Sequence, residues 1–338
     1  MTALFFIVII LSAIVILASF LPLIPTHAGI VRICDFPRLQ ILIGGLAGLV
    51  ALVVVCDWQS WTFWVVAPLL CLAIALQTAR ILPYVPFAKK ESRAAETRGP
   101  GTEFSLLIAN VQQENRNSGK LSQLVEQYDP DLVFLVEVDR WWEKQLQRIA
   151  DGYPHVTSLP QDNGYGILFM SRLPVESCLV RRLVKPEIPS LKVRLGLQCG
   201  HSFWFYGLHP EPPGPVQDAK ERDTELLLVA TEVRDEGQPA VVAGDLNDVA
   251  WSRTTARFQR VSNCLDPRRG RGLYATFHAD HWFARWPLDH LFHTKEFATI
   301  QLAVLAYIGS DHFPVFVRLS FAEARDTHSR SEKISNPT

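Results

Sequence analysis

Eight polar residues of this 338-residue chain stand where short apolar runs begin or end. Asn110 follows Leu-Leu-Ile-Ala, Glu137 follows Leu-Val-Phe-Leu-Val and His209 follows Trp-Phe-Tyr-Gly-Leu. Asp245 and Asn247 follow Val-Val-Ala-Gly, Asp289 follows Pro-Leu, and Asp311 and His312 precede Phe-Pro-Val-Phe. Carboxylate and amide oxygens hold hard cations, and imidazoles exchange protons near neutral pH. Each residue alone has a plainer use. Asn110 and Asn247 suit turns, Glu137 suits a solvated cap, and His209 before Pro210 could simply close a strand. Gly244-Asp245-Leu246-Asn247 and Ser310-Asp311-His312-Phe313-Pro314 carry more information, and the ordered set together points to a site.

Strands whose ends meet would bring such a set together. From Glu103 onward, strand-length runs rich in Val, Leu, Ile and Phe recur at Phe104–Ala109, Leu132–Val136, Gly166–Phe169, Leu191–Leu197, Phe203–Leu208, Val241–Ala243, Leu288–Phe292 and Phe313–Leu319. Helix patterns fall at Gly119–Tyr128, Trp141–Ala150 and Val216–Glu236. Strands outnumber helices and several look buried on both faces, so two sheets packed face to face with helices outside is the expected architecture. Adjacent strands would then carry their polar ends to one rim.

The first part of the chain is different. Three apolar runs, at about 3–24, 39–56 and 61–82, each have the length an α-helix needs to cross roughly 30 Å of hydrocarbon. The first lacks a basic flank and a cleavage site, so it reads as an uncleaved helix. Gly44, Gly45 and Gly48 in the second permit close helix approach, and Trp58, Trp61 and Trp64 suit an interface. Residues 1–86 are therefore expected to anchor the chain, 87–102 to form a linker, 103–322 to fold as the catalytic domain, and 323–338 to be a disordered tail. Basic residues flank the spans on the domain's side (Arg32, Arg38, Arg80, Lys89, Lys90, Arg93), which favours a cytoplasmic domain.

Charge and cysteine content narrow the function. Of 33 basic and 34 acidic residues, seven and four lie in residues 1–100, which leaves 26 and 30 beyond and a net charge of −4. A general binder of nucleic acid would show a basic excess there. Cys178, Cys199 and Cys264 cannot all pair with one another, and no C-x-x-C spacing suggests zinc or redox chemistry.

The ordered set resembles the endonuclease/exonuclease/phosphatase superfamily, to which DNase I, apurinic endonucleases, inositol polyphosphate phosphatases and neutral sphingomyelinases belong. The resemblance covers about Glu103 to Ser320. Asn110-Val111-Gln112, Val136-Glu137-Val138-Asp139, Tyr165-Gly166-Ile167, Gly244-Asp245-Leu246-Asn247-Asp248 and Pro287-Leu288-Asp289-His290 are similar to a bacterial membrane-anchored branch, as is Asp35-Phe36-Pro37-Arg38 between the first two apolar runs. That similarity implies a multi-pass protein of the bacterial inner membrane carrying a DNase I-like, four-layered α/β sandwich of two mixed β-sheets flanked by helices. The activity it implies is divalent-metal phosphoester hydrolysis.

In-line displacement at phosphorus adds charge to the equatorial and leaving oxygens. Asn110 and Glu137 would supply hard oxygen ligands for Mg²⁺, or Mn²⁺, with Asp311 as a second acidic contact. The family pattern gives Asp245 the attacking water, Asn247 a phosphoryl oxygen, His209 a phosphate contact and His312 an Asp–His pair with Asp289, and leaves open whether Asp245 or His312 is the base. Arg222 and Tyr165 are further substrate-binding candidates, against a salt bridge and a core tyrosine respectively. The Arg268-Arg269-Gly270-Arg271 run suits a phosphate contact or a solvated loop. His278, His281, His290 and His293 match no familiar zinc spacing. The expected partners are a phosphoester substrate, lipid headgroup or nucleic acid, and the bilayer; no protein partner is predicted. A catalytically silent membrane adaptor that binds phosphorylated ligands is the alternative.

Overall fold

Two parallel strand pairs, each closed by a crossover helix, build the domain that follows the apolar spans. The computed structural model describes residues 3–95, 101–214 and 217–321. In the first pair, β1 (Glu103–Asn110) runs through α5 (Ser118–Tyr128) to β2 (Leu132–Val136), in register from Leu106↔Leu132 to Asn110↔Val136. In the second, β7 (Ser202–Gly207) runs through α7 (Lys220–Glu236) to β8 (Ala240–Asp245), in register from Trp204↔Ala240 to Gly207↔Ala243. Parallel strands need such a crossover. All other pairings between strands among the described residues are antiparallel. They add β3 (His155–Leu159), β4 (Ile167–Ser171), β10 (Phe297–Val304) and β11 (Val315–Phe321) to the first sheet, in the order β10-β11-β1-β2-β4-β3. The second sheet gains β5 (Val175–Arg181), β6 (Ser190–Gly196) and β9 (Asp289–His293), in the order β5-β6-β7-β8-β9.

Central strands are buried on both faces, and this sorts the core into three layers. Between the sheets, Phe104 stacks on Phe203 at 4.7 Å and Phe169 on Phe205 at 5.1 Å. Outside the first sheet, Leu107, Val133 and Leu135 pack under α5 and α6 (Arg140–Ala150), the latter capped by Asp139, which accepts from Trp142 N at 2.8 Å. Outside the second sheet, Tyr206, Val242 and Phe292 pack under α7 and α8 (Arg253–Ser262). Helices, sheet, sheet and helices make the expected four-layered sandwich.

Every sequence-expected strand is present. The three additional ones, β3, β5 and β10, are sheet edges with half-exposed residues in place of dense apolar runs. α8 was likewise unmarked, its ten residues holding few apolar side chains. The long helix starts at Lys220; Val216, where its pattern begins, lies outside the described residues, as does the expected tail beyond Phe321.

Ahead of the domain, α1 (Ala3–Phe20), α3 (Arg38–Val55) and α4 (Trp61–Ile81) pack together, and three helical spans of 21, 18 and 24 residues are long and apolar enough to cross a membrane. A Cβ on Gly45 would meet Ile74 at 3.1 Å and Val15 at 3.4 Å, which is why a glycine stands where α3 approaches both neighbours. The connection between α1 and α3, including the short α2 (Gly29–Ile33), lies on the sandwich domain. Arg32 donates to Thr254 Oγ1 at 2.8 Å, Trp251 Nε1 donates to the Asp35 carbonyl at 2.7 Å, and His27 O accepts from Ala219 N at 2.8 Å. After α4, Tyr84 donates to the Ala250 carbonyl at 2.6 Å. The described part of the expected linker also lies along the domain: Ser92 Oγ meets Thr299 Oγ1 at 2.7 Å and Ala94 bridges to Thr299. Residues 96–100 lie outside the described residues.

Candidate active site

The parallel pairs present their C-terminal ends, and their antiparallel neighbours β9 and β11 their N-terminal ends, at one rim. That geometry brings all eight strand-end residues together. Asn110 closes β1 and joins the two sheets: its Nδ2 donates to Glu137 Oε1 at 2.7 Å and to Asp245 Oδ2 at 3.0 Å. Its own Oδ1 accepts from Gln112 N at 2.9 Å, and Gln113 N donates to Glu137 Oε2 at 3.2 Å. Glu137 adopts φ 61°, a left-handed backbone that a long side chain enters only when its surroundings enforce it. At the end of β8, Gly244 has φ 141°, and a Cβ there would lie 1.9 Å from the Leu208 carbonyl; glycine is required where β8 meets the end of β7. Asn247, also left-handed at φ 50°, donates its N–H to Asp245 Oδ1 at 2.9 Å and its Nδ2 to the Pro210 carbonyl at 2.9 Å.

Asp245 is the electrostatic centre. Its Oδ2 lies 3.7 Å from His209 Nε2 and 3.5 Å from His312 Nε2. Asp289, first residue of β9, meets His312 Nδ1 through Oδ2 at 2.7 Å. Burial acts to lower the His312 pKa, but Asp289, Asp245 and Asp311 outweigh it and hold the imidazole up to about 10. A charged ring donates through both nitrogens and here lies between two carboxylates. Asp245, Asp289 and His312 form a buried group whose ligand atoms lie within 4.8 Å of one another. In the Asp289–His312 hydrogen bond the charged ring donates its Nδ1–H to Asp289 Oδ2, and an imidazolium nitrogen has no lone pair for a cation, which favours a proton-handling pair over a metal site at that point. His209 Nδ1 is buried without a partner among the described residues, and Glu137 Oε1 lies 4.0 Å from its Nε2.

Asp311 sits at the edge of this group. Burial raises its carboxyl pKa, His312 opposes the rise, and Glu137 and Asp245 add to it. Its N–H donates to Gln112 Oε1 at 3.0 Å, and Ser310 Oγ donates to the Asn110 carbonyl at 2.8 Å. Gln112 and Ser310 thus lock the segment before β11 onto the end of β1. Both stand inside motifs that the sequence singles out, Asn110-Val111-Gln112 and Ser310-Asp311-His312-Phe313-Pro314, but neither is given a role there.

The remaining candidates take distinct places. The Tyr165 ring centroid lies 5.6 Å from that of His209, and burial, with Glu211 and Glu137 assisting, pushes its hydroxyl up to about 12. Arg222 is buried behind the Asp245–Asp248 loop, donating to the Asn247 carbonyl at 2.7 Å and pairing with Asp223 at 2.9 Å and Asp248 at 3.5 Å. It holds the loop from behind. The arginine run is held by the protein's own groups: buried Arg268 pairs with Asp266 at 2.8 Å, and the part-exposed Arg269 and Arg271 meet Glu91 at 3.3 Å and the Ser92 carbonyl at 2.9 Å. His290 is buried between Arg268 and the Asp248 carbonyl, and burial, then Arg268, holds its pKa well below the usual value. One wall was not foreseen: Phe277 packs 4.9 Å from the His312 ring, Trp286 lies 6.1 Å behind it, and Phe36, from the loop between the first two spans, lies 5.7 Å from Trp286.

Residues 107–312 match the sequence model of the endonuclease/exonuclease/phosphatase family. None of the curated proteins matches the chain. Among solved structures, D. rerio TDP2 complexed with single-strand DNA product has a TM-score of 0.54 at 17% identity, covering 65% of this chain and 99% of that one. The human nocturnin catalytic domain with bound sulfate has a TM-score of 0.55 at 15% identity, covering 67% and 97%. A mannosyl-6-phosphatase of Bacteroides thetaiotaomicron has a TM-score of 0.51 at 19% identity, covering 64% and 100%. At these identities the likeness is one of fold.

Proposed function

The chain belongs to the endonuclease/exonuclease/phosphatase family, and on that premise we propose that it is a membrane-anchored, divalent-metal-dependent phosphoester hydrolase. The observation that carries this reading is the meeting of Asn110, Glu137, His209 and Asp245 with the Asp289–His312 pair at one rim, contributed by both sheets. Fold-mates include one holding a DNA product and one named as a sugar-phosphate phosphatase, so the fold accepts phosphoesters of unlike alcohols. The three apolar spans support the anchor.

The residues fit a hard divalent cation. Glu137, Asp245, Asp289 and Asp311 crowd four carboxylates around two histidines, and the raised Asp311 carboxyl registers burial and that repulsion. Glu137, with 23% of its side chain exposed, would hold Mg²⁺ or Mn²⁺ together with Asn110 and Asp311. When bound, the metal would neutralise charge on the phosphoryl oxygens. The remaining steps fall to side chains. Asp245, with both histidines beside its Oδ2, orients the attacking water and accepts its proton. His312, charged and fixed in orientation by Asp289, donates to phosphoryl oxygen, as does His209. Asn247, whose Nδ2 spends one N–H on Pro210, has a second to offer. Arg222 positions Asn247 through its carbonyl.

The test uses the full-length protein in detergent with Mg²⁺ or Mn²⁺ and a panel of soluble phosphoesters. Glu137→Ala and His312→Ala should each lower turnover at least about 100-fold at unchanged thermal midpoint, and chelation should abolish it reversibly. Undiminished turnover in both variants overturns the assignment. Ligand binding that survives chelator, with no product under any metal, would establish the adaptor instead.

A further inference from the structure

The site's own wall reaches the membrane-facing end of the helices. Phe277 and Trp286 pair across the base of a loop, with Phe277 N donating to the Trp286 carbonyl at 3.0 Å, and Phe277 packs against His312 at 4.9 Å. From that base the loop extends to a tip at Trp282 and Phe283, which are 81% and 60% exposed. Gln40, in the first turn of α3, donates to the Phe283 carbonyl at 2.7 Å. α3 begins and α4 ends at the same end of the helical bundle, so this bond fixes the tip at the level where the apolar spans emerge. Six residues after α4, at that same end, comes Phe87; it and Trp282 are the two most exposed large apolar side chains among the described residues, at 84% and 81%.

We infer that the Trp282-Phe283 tip sits in the bilayer that holds the helices, and that the substrate is a lipid-borne phosphoester taken from that bilayer's headgroup layer. Aromatic residues at such a level belong in the interface. The distances suit a lipid phosphate. Ala279 N donates to the Asp311 carbonyl at 2.7 Å, and Trp282 follows three residues later, at most about 11 Å of chain away. The headgroup layer is roughly 5–8 Å deep on each face. With the tip at the edge of the hydrocarbon, the rim stands at the outer side of that layer. A lipid phosphate reaches it without leaving its leaflet, whereas a soluble substrate gains nothing from the tip. The hydrolysis consumes one water: its oxygen bonds phosphorus, one ester P–O bond breaks, and the departing alcohol oxygen takes a proton.

This inference rests on the hydrolase reading, and two measurements keep the failures apart. In the first, full-length protein is reconstituted into phosphatidylethanolamine/phosphatidylglycerol vesicles doped with either phosphatidylinositol 4-phosphate or sphingomyelin. It is assayed beside soluble bis(p-nitrophenyl) phosphate and a single-stranded oligonucleotide. Wild type should turn over a vesicle lipid fastest. The Trp282→Ser/Phe283→Ser double variant should lose at least tenfold on that lipid, mainly in KM, and keep its rate on the soluble diester. Equal loss on both, no loss on lipid, or preference for the oligonucleotide overturns the inference. In the second, acyl-brominated lipids should quench wild-type tryptophan fluorescence more than that of Trp282→Phe, whether or not turnover is found. Equal quenching places the tip outside the bilayer and overturns the inference, whereas a quenched tip in a protein inert to every phosphoester removes the hydrolase reading instead.

Discussion

Glu225 lies on α7 with 3% of its surface exposed and Oε1 without a hydrogen-bond partner among the described residues. Burial pushes its carboxyl up to about 7, with only Arg181 pulling the other way. The sign follows from proton binding. Between the ordinary carboxylate range and pH 7 the unfolded chain releases this proton while the folded protein keeps it, so stability falls as pH rises through that window. Glu225→Gln removes a penalty of about 3 kcal/mol at pH 8 and changes little at pH 4. The thermal midpoint of the variant in detergent should exceed that of wild type by about 5 °C or more at pH 8 and match it at pH 4; an equal gap at both would show that ionisation is not the cause. At this scale, residue type and strand-end position made the rim legible. Asn110, Glu137, His209 and Asp245 each follow a short apolar run of strand composition. How they are held was not legible: Gln112 and Ser310 stand in the motifs and Arg222 among the candidates, but they act through main-chain groups distant in sequence, which only the assembled sheets bring into reach.

Among the elements, the connection between α1 and α3 matters beyond joining two helices. Asp35 is buried between Arg32, 3.4 Å away, and Arg38, and Arg32 also lies 3.9 Å from Asp248. Asp248 in turn pairs with Arg222, which holds Asn247. A chain of buried charges thus runs from the helical bundle to the rim. Removing one partner from a buried ion pair leaves the other charge uncompensated, at a cost of about 3–5 kcal/mol. Asp35→Ala should therefore lower the thermal midpoint and, through the Asp248 loop, the turnover of a soluble diester, and Asp35→Asn should restore part of both. Residues 101–338 expressed alone lose Arg32, Asp35, Phe36 and Tyr84 from this surface and should be less active per molecule than the whole chain. Equal activity of the two would show that the bundle only tethers. The strands show why such contacts escape a reading of the chain. Central strands announce themselves by unbroken apolar runs, whereas β3, β5 and β10 pack on one side only, and their mixed residues resemble loops.

For the whole molecule, the number of spans decides which surfaces share a side. Three crossings, for which the apolar spans are long enough, would place the α1–α3 connection and the sandwich domain together, and the packing of Arg32 and Trp251 across that junction agrees with that arrangement. In the folded protein Arg32 and Arg38 are 3% and 2% exposed and share Asp35, with Asp248 3.9 Å from Arg32, so they add little to the surface potential there. Orientation is set earlier, while the chain inserts and those partners are still apart, and at that stage both arginines count with Arg80, Lys89, Lys90 and Arg93. The opposite side offers Asp57 and no Lys or Arg between the spans. A fluorescent reporter fused after Thr338, which fluoresces only in the cytoplasm, should be bright, and an alkaline phosphatase reporter at the same point should be inactive. Arg32→Ala/Arg38→Ala would test the two contributions separately. If those arginines act in insertion, the reporters should shift towards the opposite side; if they act only in the folded ion-pair chain, orientation should hold while the thermal midpoint falls. The reverse reporter pattern in the unmodified chain would place the rim outside the cytoplasm and restrict its substrates to the outer leaflet.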